Sequence, residues 1–435
     1  MRAPGAFTTF LLVAAFAAAP ARAQSPPTPT SVAEEALSLL APKPHSSVNP
    51  LTRRSRDYRG LALGDWILYP TINLGAIYDS NLVWSTRHPV QAAGLRLNPA
   101  LVAQRDSGPH RTTLYADVDA RLYPTLAYGD AVNAQLGAAH VWEIARDLSV
   151  SARAEYTRKA QHISGGVAAL PGGGFSTLAS PLVYDQLSGA LAVHKSFGRM
   201  FAGLSLEAAK TYYDSLRTTS GTFSQSYRDS FAVSLGARGG FWFTPALYAF
   251  AETIGNVREI EASTYDSKGY RVVAGLGSDR ISLFRGEIFA GVHRQNYDNP
   301  LIAAAASPIL GGKIFWYPTR AITVRAALDQ TFSDSSMPTP GNPAGFPARQ
   351  TSAQAHVTYQ MSKSWQAAWR IAFEHSAYLG TIRRDNGWRT GATLAYDLYR
   401  NVALTLDYEF QRLHSIAPDA SYVRNAVNLG MKYRY

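Results

Sequence analysis

The chain contains no cysteine, which excludes disulfides and a lipid-modified N-terminal thiol. Beyond the N-terminus it has no apolar run long enough to cross a bilayer as a helix. No block of five basic residues occurs either, so a nucleic-acid-binding stretch has no support. None of the ten histidines stands in His-x-x-x-His or His-Glu-x-x-His spacing, and the metal and zinc-hydrolase patterns are missing. Gly172-Gly173-Gly174 follows Pro171 in a loop with no helix after it, so it is no phosphate cradle. His356 with Gln354 and Thr358 is read as part of a polar stripe, not a hydrolase site. These absences point away from an enzyme, a cofactor and a resident metal.

What is present begins with Ala6 to Ala21, an apolar run behind Arg2 that closes on Ala21-Arg22-Ala23. That is the pattern of a secretory signal, residues 1–23. Without Arg2 and Arg22 the mature chain keeps 40 Lys and Arg against 31 Asp and Glu, so its net charge falls from +11 to +9. The partners suited to an exported basic chain are lipid headgroups, anionic solutes or an anionic polymer. Residues 24–59 are Pro-rich, broken by Pro42 and Pro44, and carry a basic cluster from Arg53 to Arg59. They read as a largely disordered periplasmic leader.

From Trp66 onward one unit repeats: an alternating segment, a tight connection, another alternating segment, a longer polar loop. In the last segment Val427, Leu429, Met431, Tyr433 and Tyr435 fall on one face, with Asn428, Gly430, Lys432 and Arg434 on the other. Strict alternation means a strand with an apolar and a polar face. An aromatic residue at its end marks this as the closing strand of an outer-membrane barrel and its assembly signal. Eighteen such segments over residues 66–435 give about 41 residues per hairpin, too long for a sandwich and suited to tilted membrane strands. The hairpin around 79–130 leaves sixteen to twenty as the bounds.

Several polar faces mix acids and bases. Tyr115, Asp117, Asp119 and Arg121 oppose Leu114, Ala116, Val118 and Leu122. Arg153 and Glu155 oppose Ala152, Ala154 and Tyr156; Asp407 and Glu409 oppose Leu406, Tyr408 and Phe410; Arg370 and Glu374 oppose Trp369, Ile371 and Phe373. A dry core would not tolerate such faces, whereas a wet lumen hydrates them. The fold expected is therefore all-β, a transmembrane antiparallel up-and-down barrel over residues 60–435. Its 24 Tyr, 18 Phe and 8 Trp suit two interfacial girdles. Short turns such as Ala145-Arg146-Asp147 and Phe197-Gly198-Arg199 alternate with long loops, which places the chain in a bacterial outer membrane with both termini periplasmic.

The residues from Gly60 to Asn81 carry a resemblance. Leu63, Gly64, Trp66, Pro70, Tyr78, Asp79 and Asn81 look like the first-strand pattern of the "Putative beta-barrel porin 2" family of bacterial outer-membrane proteins. The resemblance implies a barrel, and an association with export or surface handling of exopolysaccharide. Ser80 stands where the family often has a second acid. The Tyr78–Asn81 corner is read as a backbone-capping turn.

The expected activity is passage rather than chemistry. Tyr115, Asp117, Asp119, Arg121, Arg153, Glu155, Arg325, Asp329, Arg370, Glu374, Asp407, Glu409, Lys432 and Arg434 are the candidate pore-lining residues, setting field and selectivity. The expected partners are outer-membrane lipid and lipopolysaccharide, the barrel-assembly machinery, periplasmic polysaccharide-export proteins and an anionic polysaccharide, with no nucleic acid. A diffusion porin for small hydrophilic solutes, or a closed structural or adhesive barrel, are the competing readings. The loop 158–181, third on its side, either folds inward or stays on the surface.

Overall fold

The computed structural model describes residues 60–435 except 162–165, 170–174, 262–265, 282, 301, 303, 334–346 and 418–419. The expected signal (1–23) and leader (24–59) lie outside the described residues.

Eighteen long strands form the wall: β1 Trp66–Asp79, β2 Ala92–Ser107, β3 His110–Leu122, β4 Ala131–Ala145, β5 Leu148–Gln161, β6 Leu182–Phe197, β7 Met200–Tyr213, β8 Ser230–Thr244, β9 Leu247–Ile260, β10 Ser267–Ile281, β11 Phe284–Tyr297, β12 Ala305–Thr319, β13 Ile322–Ser333, β14 Ala348–Gln360, β15 Trp365–Tyr378, β16 Arg384–Asp397, β17 Val402–Ser415 and β18 Tyr422–Arg434. Each pairs antiparallel with its chain neighbours. The sheet closes where β1 meets β18, from Thr71↔Arg434 to Asp79↔Ala426. The eighteen expected strands are thus all present. β16 starts at Arg384, because Asp385, Asn386 and Gly387 pair into both neighbours.

A 14-residue strand is about 46 Å long at ~3.3 Å per residue. Tilted by ~45°, it spans about 33 Å, enough for a hydrocarbon core. The outward face fits that solvent. Leu136, Leu204, Leu235, Ile288 and Leu429 stand exposed at mid-wall. Exposed aromatics band the two ends, with Trp142, Phe241, Trp316, Trp365 and Tyr433 near one rim and Tyr78, Tyr156, Tyr212, Tyr270 and Tyr408 near the other. Connections on the first rim span two to four residues, on the second five to twenty. Both ends of the wall lie at the short-turn rim, where the Arg434 N–H donates to Asn401 O at 2.8 Å and the Tyr435 N–H to Pro70 O at 3.3 Å.

Candidate channel lining

Contacts that skip strands identify the concave face, because only there can side chains meet across intervening strands. Arg238 on β8 donates to Glu287 on β11 at 2.7 Å. Gln295 on β11 donates to Asn256 on β9 at 3.0 Å. Direct cross-strand partners share a face, and following the register from these anchors around the ring assigns every strand.

All fourteen expected lining residues fall on that inner face. Asp119 is held by Arg96 at 2.6 Å and Arg121 at 2.7 Å. The Tyr115 hydroxyl donates to Glu155 across β4. Asp117 accepts from Asn98 at 2.8 Å, Glu374 from Gln350 at 2.6 Å, and Asp407 from Thr393 at 2.6 Å. Glu409 pairs with Arg424 at 2.9 Å, Arg434 with Asp397 at 2.9 Å, and Asp329 with Arg271 at 3.5 Å. Lys432 sits between Asn73 and Ala403. Arg153, Arg325 and Arg370 make no ion pair among the described residues. Two of these three form a row: Arg325 is the cross-strand partner of His356, and His356 of Arg370. The structure therefore ties the expected lumen acids into the wall and leaves Arg325 and Arg370 without a paired acid across β13–β15 among the described residues. His356 is part of that row.

Sequence reasoning missed a buried aromatic layer inside β7–β12. Phe201, Tyr248, Phe250, Val273, Phe289 and Ile309 cluster on the inner face, with Trp242 against them. The rings lie flat because glycines stand beside them in the ladder. A Cβ at Gly240 would collide with Phe201, one at Gly277 with Tyr248 and one at Gly311 with Phe289, while at Gly275 it would stand 2.8 Å from Phe250 Cζ. The Arg238 guanidinium lies 3.9 Å from the Phe250 ring centroid and that of Arg271 4.8 Å from Phe289, capping the layer. The alternation of glycine and aromatic residues at inward positions was the available signal.

The corner Tyr78–Asn81 proves to be the lock of the seam. Arg424 on β18 is buried and binds both Asp79 at 2.7 Å and Glu409 at 2.9 Å. Asp79 also accepts the Asn81 N–H at 3.0 Å. Asn81 Nδ2 donates to Val423 O and to Ser85 O, each at 2.8 Å, and the Asn425 N–H donates to Ser80 Oγ at 2.8 Å. The side chains of Asp79, Ser80 and Asn81 thus each reach the last strand. The sequence matches the family described as "Putative beta-barrel porin 2" over residues 56–435. The chain belongs to that family.

No curated protein matches the sequence. Among solved structures it is similar to the siderophore receptor PirA from Acinetobacter baumannii (8% identity, 85% of this chain and 80% of that chain, TM-score 0.43). It is also similar to the FrpB iron transporter from Neisseria meningitidis (9% identity, 86% and 83%, TM-score 0.44). No activity is carried over from either.

In this porin-like barrel the loops of the second rim pack on one another. Trp84, the non-glycine residue with a positive φ (53°) among the described residues, is buried and stacks on inner-face Tyr422 at 5.1 Å between centroids, beside Leu413. A bulky residue holds such a backbone only when its surroundings fix it. Leu82 joins Ile77, Ala92 and Tyr123. Tyr128, Leu178, Leu182 and Leu216, with Val83 against them, join four successive loops in one apolar cluster. The described part of the third loop therefore packs inward on its neighbours, with Leu178 bridged to Thr218 of the fourth; its Gly172–Gly174 run lies outside the described residues.

Aspartates clamp these loops at strand ends. Asp130 accepts the Tyr123 N–H at 2.6 Å, Asp229 the Tyr213 N–H at 2.8 Å, and Asp266 the Ile260 N–H at 2.7 Å. Burial pushes the Asp229 carboxyl up, with the Tyr213 N–H working against it. On the opposite rim, the Lys195 ammonium 2.6 Å from Asp147 holds that carboxyl below its usual range.

Proposed function

We propose that the barrel is an outer-membrane conduit for surface exopolysaccharide, with an anionic polymer as its cargo. The observation that carries this reading is the pair Arg325 and Arg370, set on either side of His356 on the inner wall, with no acid paired to either arginine among the described residues. An eighteen-strand barrel encloses water, and cations facing water attract polyanions without holding them at a dry site. Family resemblance supplies the link to exopolysaccharide. The short turns and both termini are then periplasmic, where export proteins would dock, and the long loops are external among lipopolysaccharide. The terminal strand Val427–Tyr435 serves the barrel-assembly machinery. The inward-packed loops fit a channel that is closed until engaged.

Two measurements decide the matter. Deleting the gene should abolish secreted polymer, and the purified protein in planar bilayers should be quiet until the loop packing is loosened by Trp84→Ala. Steady conductance of the unaltered protein with normal polymer secretion in the deletion strain would make it a diffusion porin instead. Silence of both proteins, with secretion intact, would make it a closed structural barrel.

A further inference from the structure

The wall is interrupted on one side. The β12–β13 ladder runs from Thr319↔Ile322 to Gly312↔Leu328 and no further. Above that point Ala305–Gln295 and its successors pair β12 with β11 alone, and Asp329–Ser333 pair with β14 alone. Every other adjacent pair in the ring, the β1–β18 seam included, is laddered over a longer stretch.

The upper part of β13 has moved to the inside. Gln330, Phe332 and Arg349 share one face of the β13–β14 pair, opposite to inward-facing Asp329 and to Gln350, which donates to lumen-facing Glu374. That face would normally meet lipid. Instead Gln330 Nε2 donates to Ser307 Oγ at 2.9 Å and Arg349 Nη1 to the same hydroxyl at 3.4 Å. Phe332 sits edge-on to His293, 4.7 Å between centroids, and its carbonyl accepts from Arg258 Nη1 on β9 at 2.8 Å. Ser307, His293 and Arg258 all line the inner face. An outer face can touch the inner face of neighbouring strands only if it lies within them. Phe332, Pro347 and Ala348 are buried by the overlap.

We propose that the upper ends of β13 (residues 329–333) and β14 (residues 348–351) are a moving part of the wall, tucked into the lumen in this structure and able to zip onto β12. Zipping would continue the existing register through Gly311–Asp329, Ile309–Thr331 and Ser307–Ser333. It would restore ladder bonds to a strand edge that otherwise faces hydrocarbon, where unmet backbone groups are costly. Tucking instead buries Phe332 and gains the contacts to Ser307, His293 and Arg258. Each arrangement keeps what the other gives up, which is the condition for a two-state element. Tucked, the segment narrows the lumen; zipped, it widens it. The conductance consequence rests on the channel reading above, whereas the geometry does not.

The cysteine-free chain allows a direct test in lipid vesicles. Ser307→Cys with Gln330→Cys can close a disulfide only when the segment is tucked, because zipping sets these positions three residues out of register. Ile309→Cys with Thr331→Cys can close only when it is zipped, as direct partners within disulfide reach. Both pairs should cross-link on oxidation. In planar bilayers, in a Trp84→Ala background, the zipped lock should raise unitary conductance roughly twofold over the tucked lock, and reductant should erase the difference. Failure of the first pair to cross-link would overturn the tucked placement. Failure of the second alone, or equal conductance of both locks, would overturn the motion. If no variant conducts although both pairs cross-link, the channel reading fails and the two-state wall stands.

Discussion

Asp79 on the first strand of the barrel and Arg424 on the last are joined at 2.7 Å, and Glu409 holds the same guanidinium from the other side at 2.9 Å. The three groups are buried, so the closure of the cylinder depends on a desolvated charge cluster as well as on ladder bonds. Arg424→Ala would strand two carboxylates in that setting. Such a loss costs about 3–5 kcal/mol for a buried pair. Urea unfolding of the refolded protein in micelles should show the midpoint fall sharply, and a smaller fall for Asp79→Ala, since Glu409 still serves the arginine. An unchanged midpoint for Arg424→Ala would mean the seam is held by its backbone alone.

The glycines beside the inner aromatic layer make a second case. At Gly277 a Cβ would run into the Tyr248 ring, which has no other place to lie while its hydroxyl donates to Glu287. Gly277→Ala should therefore destabilise the barrel by about 1–3 kcal/mol, as overpacking does. Tyr248→Ala alone should also destabilise. The double variant should be less unstable than the sum of the two, and strict additivity would show that ring and glycine do not share a space.

The outward face answers to lipid. Leu136 is 58% exposed at the middle of β4, and its neighbour Gln135 points into the lumen, opposite Asp117. Leu136→Arg should cost about 2–4 kcal/mol on refolding into vesicles, the penalty for a cation at the bilayer midplane. Gln135→Arg, one residue away, should cost far less because water meets it. Equal penalties at the two positions would deny that one face is greasy and the other wet.

The wall was legible in the sequence because one physical rule, alternation between lipid and water, acts on every strand. Val427 to Tyr435 and Thr113 to Tyr123 obey it residue by residue, so their faces are fixed without coordinates. The Asp79 corner was legible as a turn but not as a lock, since Arg424 is distant in the chain and nothing local links them. Trp84 gave no signal: an apolar residue in a loop has no period to report its burial. The tuck of β13 was likewise hidden. Gln330 and Phe332 share the face that would meet lipid, which a phenylalanine suits and a glutamine does not, and only contacts with Ser307 and His293 reveal that the face has turned inward. Pattern specifies which side of a strand is wet; it does not specify whether neighbouring strands stay in line.

The basic row gives the last prediction. Arg325 and Arg370 flank His356 across three strands. Arg370 is held by Thr393, whose hydroxyl lies 3.3 Å from Nη2. Arg325 points its guanidinium towards Phe315, 5.8 Å from the ring centroid. Neither position is needed to balance an acid, so neutralising both should change the lumen field without stranding a buried charge. Arg325→Gln with Arg370→Gln, in the Trp84→Ala background, should leave unfolding within about 0.5 kcal/mol of the parent, as for substitutions away from packed or paired features. The reversal potential in a salt gradient should shift towards cations. The shift should shrink at high ionic strength, because facing water these charges are screened beyond about 10 Å at 0.1 M salt. A reversal potential that does not move would place the selective charges elsewhere in the lumen and remove the support for a polyanionic cargo.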